Sequence, residues 1–262
     1  MARVRLDQLL VDRDLASSRA AAQALLLAGE VELAGAPTRI LKPGQLVDAD
    51  VGLSLVARPR WASRAGEKLV AALDAFLVDP AGLACMDAGA STGGFTDVLL
   101  ARGARIVYAV DVGRGQLIDR LTRDTRVVSM ERTNLRTLSA LPEPIDLATL
   151  DLSFISLRLV LPSTHRLLGD GGRVIALVKP QFEAGRDAVP RSGVVRDVST
   201  HRAVLLQFGE DAVRAGFHPS RLVSSPITGA DGNREFLALL DDGGSEGAEW
   251  ESLVDEVAPS AV

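Results

Sequence analysis

The segment that most constrains the fold is a short apolar run followed by a glycine-rich turn and a helical pattern. The apolar run ends in Asp87, the turn contains Gly89, Gly93 and Gly94, and the helical pattern begins at Phe95. Glycine is favoured where the backbone takes a positive φ angle, or where a ligand approaches more closely than a Cβ atom allows. The segment therefore predicts a strand, a loop and a helix, with a ligand lying on the loop.

The spacing of these glycines discriminates between cofactors. It differs from the G-x-G-x-x-G of dinucleotide-binding folds, in which a pyrophosphate lies on the helix N-terminus. Asp87-x-Gly89-x-x-x-Gly93 fits the turn of S-adenosylmethionine (SAM) methyltransferases better, because SAM has no phosphate and brings a charged amino-acid end. A second apolar run ends in Asp111, where a carboxylate would accept hydrogen bonds from ribose hydroxyls. Either aspartate alone is also compatible with a strand end or a helix cap, and together they favour the ligand site.

Length and cysteine content limit the class of protein. A chain of 262 residues accommodates one domain of roughly 150–200 residues and a small module. The single cysteine, Cys85, excludes disulfides and a cysteine zinc site and indicates a reducing compartment. The sequence lacks an apolar signal core at its start and a run of about 18 apolar residues anywhere. We therefore expect a soluble, cytoplasmic protein without a metal site.

The charge is distributed unevenly along the chain. The formal net charge is −5, but residues 241–262 contain seven acidic residues and no basic one. The rest of the chain has 29 basic and 27 acidic residues, so a local basic face for nucleic acid is possible. We predict that residues 243–262 form a flexible, solvated tail, with a docking turn at residues 250–254 as the less favoured alternative.

The patterns divide the chain into two parts. Residues 1–58 are predicted to form a small α+β domain, residues 59–62 a linker, and residues 63–242 a larger α/β domain. In the small domain the patterns predict two helices, at 5–11 and 19–28. They also predict three strands: one at 30–33, one directly before a turn at 42–44, and one at 51–56.

The larger domain alternates strand and helix patterns. Continuous apolar strands such as residues 174–178 indicate a parallel sheet covered on both faces, and the last two strands suggest an antiparallel hairpin at one edge. This is the class I, Rossmann-like methyltransferase architecture, in which ligands bind beyond the carboxyl ends of the strands. The predicted strands are 84–88, 105–110, 126–130, 146–151, 172–178, 220–224 and 234–240, and the predicted helices lie near 64–76, 94–102, 116–123, 156–168 and 199–215.

Four charged residues lie next to predicted strand ends or on the preceding helix. Asp151 follows the fourth strand, Lys179 follows the fifth, Glu235 opens the last strand, and Lys68 lies on the first helix of the domain. A buried lysine needs a carboxylate partner, and two acids with two lysines provide it. A charge network that only holds the sheet edge is the alternative. We expect the four side chains to converge at one crevice.

The motifs of the larger domain closely resemble those of the TlyA-type, haemolysin-A-like rRNA methyltransferases, and the resemblance covers nearly the whole chain. The motifs are D-A-G-A-S-T-G-G-F-T, D-V-G, E-R-T-N, D-L-S-F-I-S, V-K-P-Q-F-E, G-V-V-R-D and G-N-R-E-F. The resemblance implies SAM-dependent 2′-O-methylation of a cytidine in small- or large-subunit ribosomal RNA, or in both. It also implies that Lys68, Asp151, Lys179 and Glu235 form the catalytic tetrad.

Within that tetrad we assign Lys179 as the base or the orienting group of the 2′-hydroxyl. Asp151 would position Lys179 and the sulfonium methyl, while Lys68 and Glu235 would hold the network and the ribose. For SAM, the loop would hold the amino-acid end, Asp111 the ribose and Asn134 the adenine. The predicted cofactor-binding residues are Asp87, Gly89, Ser91, Gly93, Phe95, Asp111 and Asn134.

The amino-terminal motifs R-L-D-x-L-L and S-R-x-x-A-x-x-L-x-x-x-G-x-V resemble the α-L RNA-binding module of ribosomal protein S-four. The resemblance implies RNA contacts by basic side chains, although exposed arginines can also simply solvate a helix. We expect ribosomal RNA and ribosomal subunits as partners, no membrane, and a monomer. The rival function is a non-catalytic ribosome-binding or assembly factor that retains a SAM fold. The candidate RNA-binding residues are Arg3, Arg5, Arg13, Arg19, Arg39 and Lys42.

Overall fold

The structure, a computed structural model, describes residues 3–27, 31–34, 41–55, 60–185, 189–190, 192–229, 232–243 and 249–259. Its contacts divide the chain into two compact units, Met1–Arg60 and Trp61–Val262. In the described part of the chain, no helix combines the length and the apolar character needed to cross a lipid bilayer.

The described part of the first unit contains two helices and four short strands. Its core consists of leucines and small residues from both helices, such as Leu6, Leu10 and Leu26, packed with the strand residue Val31. The strands pair antiparallel, β1 with β3 and β2 with β4. The elements are β1 (Arg3–Arg5), α1 (Leu6–Asp12), α2 (Arg19–Leu27), β2 (Val31–Leu33), β3 (Leu46–Asp48) and β4 (Leu53–Leu55).

Sequence patterns located both helices of this unit but missed two of its strands. Strand β1 runs directly into α1, and the three residues of β3 do not alternate between apolar and polar. The strand expected before the turn at 42–44 falls mainly on residues outside the described ranges.

The second unit contains one large sheet flanked by helices. The strands are β5 (Ala84–Ala88), β6 (Ile106–Val110), β7 (Val127–Met130), β8 (Ile145–Leu150), β9 (Leu168–Val178), β10 (Phe217–Ser224) and β11 (Phe236–Asp242). The helices are α3 (Ala65–Phe76), α4 (Gly94–Ala101), α5 (Asp119–Thr122), α6 (Leu161–Leu167), α7 (Pro180–Glu183), α8 (Val198–Arg214) and α9 (Trp250–Val257), with single 3₁₀ turns at Leu135–Thr137 and Leu157–Leu159.

The described strands of this sheet lie in the order β10-β11-β9-β8-β5-β6-β7. The five strands from β9 to β7 are parallel, whereas β11 runs antiparallel to β9 and β10 antiparallel to β11. Successive residues of the central strands enter two different hydrophobic clusters, Cys85 one and Met86 the other. This alternation shows that both faces of the sheet are covered. The predicted parallel α/β sheet with an antiparallel hairpin at one edge is thus confirmed.

The predicted linker extends too far into the chain. Trp61 and Ala62 belong to the second unit, where the Trp61 ring is buried against Gly66 at the start of α3. The backbone N–H of Ala62 also donates a hydrogen bond of 2.8 Å to Asp97 on α4. These contacts make the two residues part of the α/β core.

The prediction of a flexible tail is wrong for residues 250–257, which form α9. Trp250 and Val254 lie one helical turn apart and are both buried against the body of the unit. Arg202 on α8 forms ion pairs with Glu251 at 2.7 Å and Asp255 at 2.8 Å, which offsets part of the acidic charge. The acidic composition of this segment favoured the prediction of a flexible tail, although the segment forms an amphipathic helix.

We predict that Trp250→Ala lowers the free energy of unfolding by about 3–5 kcal/mol, the usual cost of truncating a buried aromatic side chain. The Trp250 indole donates a hydrogen bond of 3.0 Å to the Leu205 carbonyl, and its ring fills the space beside Gly209. Chemical denaturation measures the change. The exposed Glu256→Ala is the control and should change stability by less than 0.5 kcal/mol or so. A similarly small effect of Trp250→Ala would show that α9 does not stabilise the unit.

Candidate active site

The register of the sheet brings three of the four predicted charged residues to one edge. Strands β5 and β8 are parallel neighbours, and the Asp151 N–H donates to the Ala88 carbonyl at 2.9 Å, which places Asp151 beside the glycine-rich loop. In the antiparallel pair of β9 and β11, Val178 lies opposite Phe236. Lys179, which follows Val178, and Glu235, which precedes Phe236, therefore leave the sheet at the same end.

The four side chains form two ion pairs. Lys179 Nζ lies 2.6 Å from Asp151 Oδ1 and also donates a hydrogen bond of 3.0 Å to Ser153 Oγ. Lys68, on the buried side of α3, forms a direct ion pair with Glu235 Oε2. Lys68, Lys179 and Glu235 are each less than a tenth exposed. Because each ammonium has a carboxylate partner, the group carries no net formal charge despite its burial.

All four residues line one cavity of about 510 Å³. A second cavity of about 540 Å³ is lined by Asp111 and Asn134. The two cavities share wall residues from the loop after β5 and the segment after β8, including Gly89, Ser91 and Phe154. They are therefore adjoining compartments of one crevice at the carboxyl ends of the parallel strands, where this type of sheet binds its ligands.

The glycines of the loop are explained by packing within the protein. Gly89 and Gly93 have φ angles of 86° and 98°, and a Cβ atom on Gly89 would lie 2.4 Å from the Asp151 carbonyl oxygen. A Cβ atom on Gly93 would lie 2.2 Å from a methyl group of Leu121. The glycines alone therefore do not indicate a ligand. What indicates one is the crevice that Gly89 and the following residues line.

Asp87 lies beneath the loop, fully buried, rather than on the wall of either compartment. Its Oδ2 accepts hydrogen bonds from the Thr96 backbone N–H at 2.8 Å and from Thr96 Oγ1 at 2.6 Å, and Thr149 Oγ1 lies 3.3 Å from its Oδ1. The carboxylate thus ties the end of β5 to the first turn of α4. Burial, with a smaller contribution from the nearby Asp151, raises the pKa of Asp87 to about 7.

Asp111 and Asn134 occupy the second compartment, as the sequence predicts for a nucleoside site. Asp111 accepts one backbone hydrogen bond on each oxygen, from Ser91 N–H at 2.8 Å and from Gly113 N–H at 2.7 Å. A carboxylate offers about four acceptor positions, so it can accept further bonds from a ligand. Asn134 Oδ1 accepts from the Arg136 N–H at 3.1 Å and caps the following 3₁₀ turn. Phe95, at the start of α4, is buried and lines the first compartment.

Two of the candidate RNA-binding arginines of the first unit surround a buried aspartate. Asp7 accepts hydrogen bonds from Arg5 at 2.9 and 3.1 Å, from Arg19 at 3.0 Å and from Gln23 at 3.0 Å. The hydrogen bonds from Arg5, more than the others, hold the pKa of the Asp7 carboxyl well below its usual range. Both arginine side chains remain about half exposed, so they keep a face towards solvent in a fixed orientation. Arg39 lies outside the described residues.

The other candidates of the first unit differ in what they contact. Arg13 donates hydrogen bonds of 2.5 and 2.6 Å to the carbonyls of Val51 and Ala49, so it holds the turn between β3 and β4. Arg3 and Lys42 are exposed at the surface of the unit. Of the three, Arg3 and Lys42 are therefore better placed than Arg13 to contact a ligand.

Sequence reasoning missed Phe154, the most exposed large apolar residue among those described. Its side chain is 91% exposed, its φ angle is +64°, and its ring lies 5.1 Å from that of Phe182. A positive φ angle is unfavourable for a bulky residue, so the surrounding contacts must impose it. The available signal was an aromatic residue directly after a strand-end acid, within the motif D-L-S-F-I-S.

We predict that Asp87→Asn flattens the pH dependence of stability between about pH 4 and 7. Because the pKa of Asp87 is higher in the folded state than in the unfolded state, the folded state binds more protons in this range and loses stability as the pH rises. Each unit of pKa shift corresponds to about 1.4 kcal/mol, so the difference amounts to a few kcal/mol. Urea denaturation from pH 4.5 to 8 measures it. The exposed Asp119→Asn should behave like the wild type, and an unchanged slope in Asp87→Asn would contradict the assignment.

Comparisons with known proteins show the family to which this chain belongs. The model of the FtsJ-like methyltransferase family matches residues 61–241. A Mycobacterium tuberculosis protein named 16S/23S rRNA (cytidine-2′-O)-methyltransferase TlyA is 44% identical over 91% of this chain and 90% of its own length. Hemolysin A of Brachyspira hyodysenteriae is 37% identical over 90% of this chain and 98% of its own.

A solved structure described as a candidate hemolysin from Streptococcus thermophilus has a TM-score of 0.74 to this chain at 41% identity. The match covers 98% of this chain and 96% of that one, so it extends over both units. The chain therefore belongs to the FtsJ-like methyltransferase family, among its TlyA-type, haemolysin-like members, and has the fold of the SAM-dependent class I methyltransferases.

Proposed function

We propose that this protein transfers a methyl group from SAM to the 2′-hydroxyl of a cytidine in ribosomal RNA, and that it acts in the cytoplasm on the small subunit, the large subunit or both. The observation that carries the proposal is the pair of lysine–carboxylate ion pairs on one wall of the crevice, next to the loop after β5. The name of the Mycobacterium tuberculosis relative supports a cytidine 2′-hydroxyl of both rRNAs as the acceptor.

The residues of the crevice fit SAM. The two compartments have the size of ordinary ligand pockets; Asp111, a possible ribose acceptor, lines the second, and Phe154 lines both. In the proposal, Asp111 accepts hydrogen bonds from the ribose hydroxyls and Asn134 lies at the adenine. Gly89, Ser91 and the Phe95 backbone hold the amino-acid end.

Asp87 and Gly93 support this site from beneath. Asp87 fixes the start of α4 through Thr96, and Gly93 provides the left-handed turn that lets α4 pack on Leu121. Their proposed role is to shape the loop rather than to touch the cofactor.

Bound SAM supplies an electrophilic methyl group on a positively charged sulfur. A ribose hydroxyl is a weak nucleophile until its proton is removed, and a positioned base accelerates such steps by roughly 10²–10⁴-fold. Lys179 is proposed to orient the 2′-hydroxyl and, once its ammonium has released a proton to solvent, to accept the hydroxyl proton; Asp151 holds the Lys179 amine at 2.6 Å. The Lys68–Glu235 pair is proposed to hold the network and the ribose.

Phe154 is suited to hold the base of the target nucleotide. RNA-binding sites commonly stack unpaired bases on exposed aromatic rings, and Phe154 lies in the wall of both compartments with Phe182 behind it. A target nucleotide stacked there would bring its ribose next to Lys179.

The first unit is proposed to bind rRNA in the manner of the module of ribosomal protein S-four. Arg5 and Arg19 are oriented by Asp7, and Arg3 and Lys42 are exposed. Because Asp7 already orders Arg5 and Arg19, these two side chains can bind phosphates without the additional cost of ordering flexible side chains.

We predict that Lys179→Met and Lys179→Arg each lower the rate of methyl transfer by at least 10²-fold while the SAM Kd changes less than about threefold. Methionine keeps the volume without the amine, and arginine keeps the charge but cannot release a proton. Transfer of tritiated methyl groups to isolated ribosomal subunits and calorimetric SAM titration measure the two quantities.

The exposed Arg123→Ala is the control and should match the wild type in both assays. A Lys179→Met variant that methylates at near wild-type rate would contradict the catalytic role. A wild-type protein that binds subunits and SAM but transfers no methyl group would instead support the non-catalytic assembly factor.

For the first unit, we predict that the double variant Arg3→Ala/Lys42→Ala weakens rRNA binding and makes it less sensitive to salt. Loss of two phosphate contacts should reduce the slope of log K against log[salt] by roughly 1.4–1.8. Arg13→Ala should instead lower the thermal stability of the unit, because it loses two hydrogen bonds to the chain. Filter binding at several salt concentrations measures the slope, and an unchanged slope in the double variant would remove these two residues from the proposed interface.

A further inference from the structure

Two short segments carry much of the proposed active site, and they contact each other at several points. The first runs from Asp151 after β8 to Leu157, and the second is the single turn Lys179–Glu183 after β9. Besides the Lys179–Asp151 ion pair, the segments are joined by the Lys179–Ser153 hydrogen bond and by the pair of phenylalanine rings. Glu183 provides the remaining link.

The Glu183 carboxylate spans from the end of α7 to the first segment. Its Oε2 accepts a hydrogen bond of 2.6 Å from Ser156 Oγ, and its Oε1 accepts one of 2.9 Å from the Leu157 N–H. Leu157 begins a 3₁₀ turn whose N-cap residue, Ser156, makes no cap of its own. Glu183 therefore serves as the cap of this turn from a different part of the chain.

Burial is the main effect on the Glu183 carboxyl and raises its pKa. The charge of Asp211, on the adjacent α8, also raises it. The two hydrogen bonds and the nearby Arg158 lower it. The chain thus keeps a half-buried carboxylate at a position that has no place in the proposed chemistry.

We propose that Glu183 is a positioning residue that locks the Lys179–Glu183 turn onto the Asp151–Leu157 segment and so holds Lys179 in register with Asp151. The proposal rests on the proposed function, because it assigns to Glu183 the geometry of that same site.

Glu183 can act on Lys179 because the two residues lie at opposite ends of one turn. Lys179 is the N-cap residue of α7 and Glu183 is its last residue, so fixing one end of this single turn limits rotation of the other. Without Glu183, the turn would be joined to the first segment mainly through the Lys179 amine and the Phe154–Phe182 contact. The reacting amine would then have to hold the turn in place as well. Displacements of about 1 Å at reacting groups can cost about 10²-fold in rate.

The test compares Glu183→Ala with Glu183→Gln. Alanine removes both acceptors, and we expect kcat to fall about 10- to 100-fold with the SAM Kd and the KM for RNA unchanged within about twofold. Glutamine can accept from the Leu157 N–H through its oxygen and donate to Ser156 Oγ through its amide, so it should restore kcat to within a few-fold of wild type.

Two further variants refine the comparison. Ser156→Ala removes one of the two links and should give a smaller loss, and combined with Glu183→Ala it should add little, because both residues act through one contact. The exposed Glu210→Ala on α8 is the control for loss of a carboxylate and should leave kcat unchanged. Three results would overturn the proposal. The first is a wild-type kcat in Glu183→Ala, and the second is a loss of kcat that Glu183→Gln does not restore. The third is a loss of kcat that is fully explained by a smaller fraction of folded protein able to bind SAM.

Hydrogen exchange on the ligand-free protein gives a second readout. We expect the Leu157 amide, which donates to Glu183, and the Leu159 and Val160 amides of the turn that Glu183 caps to exchange at least tenfold faster in Glu183→Ala than in wild type, with the central strand β5 unchanged. If the wild-type protein transfers no methyl group to RNA, the proposed function fails, and exchange still decides the role of Glu183. Unchanged exchange of these three amides would overturn it.

Discussion

The two lysine–carboxylate ion pairs at the edge of the sheet are the interactions on which the rest of the site depends. Removing one member of a buried pair commonly costs 3–5 kcal/mol, because the partner is left charged and without compensation. The pairs can persist only if the backbone holds all four residues at fixed positions. The crevice therefore requires a rigid sheet, and the two hydrophobic clusters that cover both faces of the sheet provide it.

The direction of β11 decides whether the pairs can form. If β11 ran parallel to β9, Glu235, which precedes it, would leave the sheet at the end opposite Lys179. Because β11 is antiparallel, with Phe236 opposite Val178, its beginning lies at the carboxyl end of β9. The hairpin of β10 and β11 thus places Glu235 where it can pair with Lys68, which lies on α3 at the start of the unit.

The parts of this structure that were predictable from sequence are those with a long-range periodic signal. Continuous apolar strands and an acid or lysine directly after them locate the sheet and the crevice, since carboxyl ends of parallel strands meet at one edge. What could not be predicted depends on individual side-chain contacts. The hydrogen bonds of Arg13 to Val51 and Ala49 and of the Trp250 indole to the Leu205 carbonyl have no periodic signature. The glycines of the loop were interpreted from the sequence as evidence of a ligand. Close packing of Gly89 and Gly93 against the rest of the protein explains them equally well.

The choice of basic residue at the crevice gives a further argument about its chemistry. The chain has 29 basic residues, of which only Lys42, Lys68 and Lys179 are lysines. Arginine forms stronger two-pronged pairs with carboxylates and would serve better in a purely structural ion pair. A lysine is preferred where a compact amine must fit beside a substrate or give up its proton. Two of the three lysines face the same cavity of about 510 Å³. This distribution is expected of a site that handles a proton and is unexplained by a network that only holds the sheet edge.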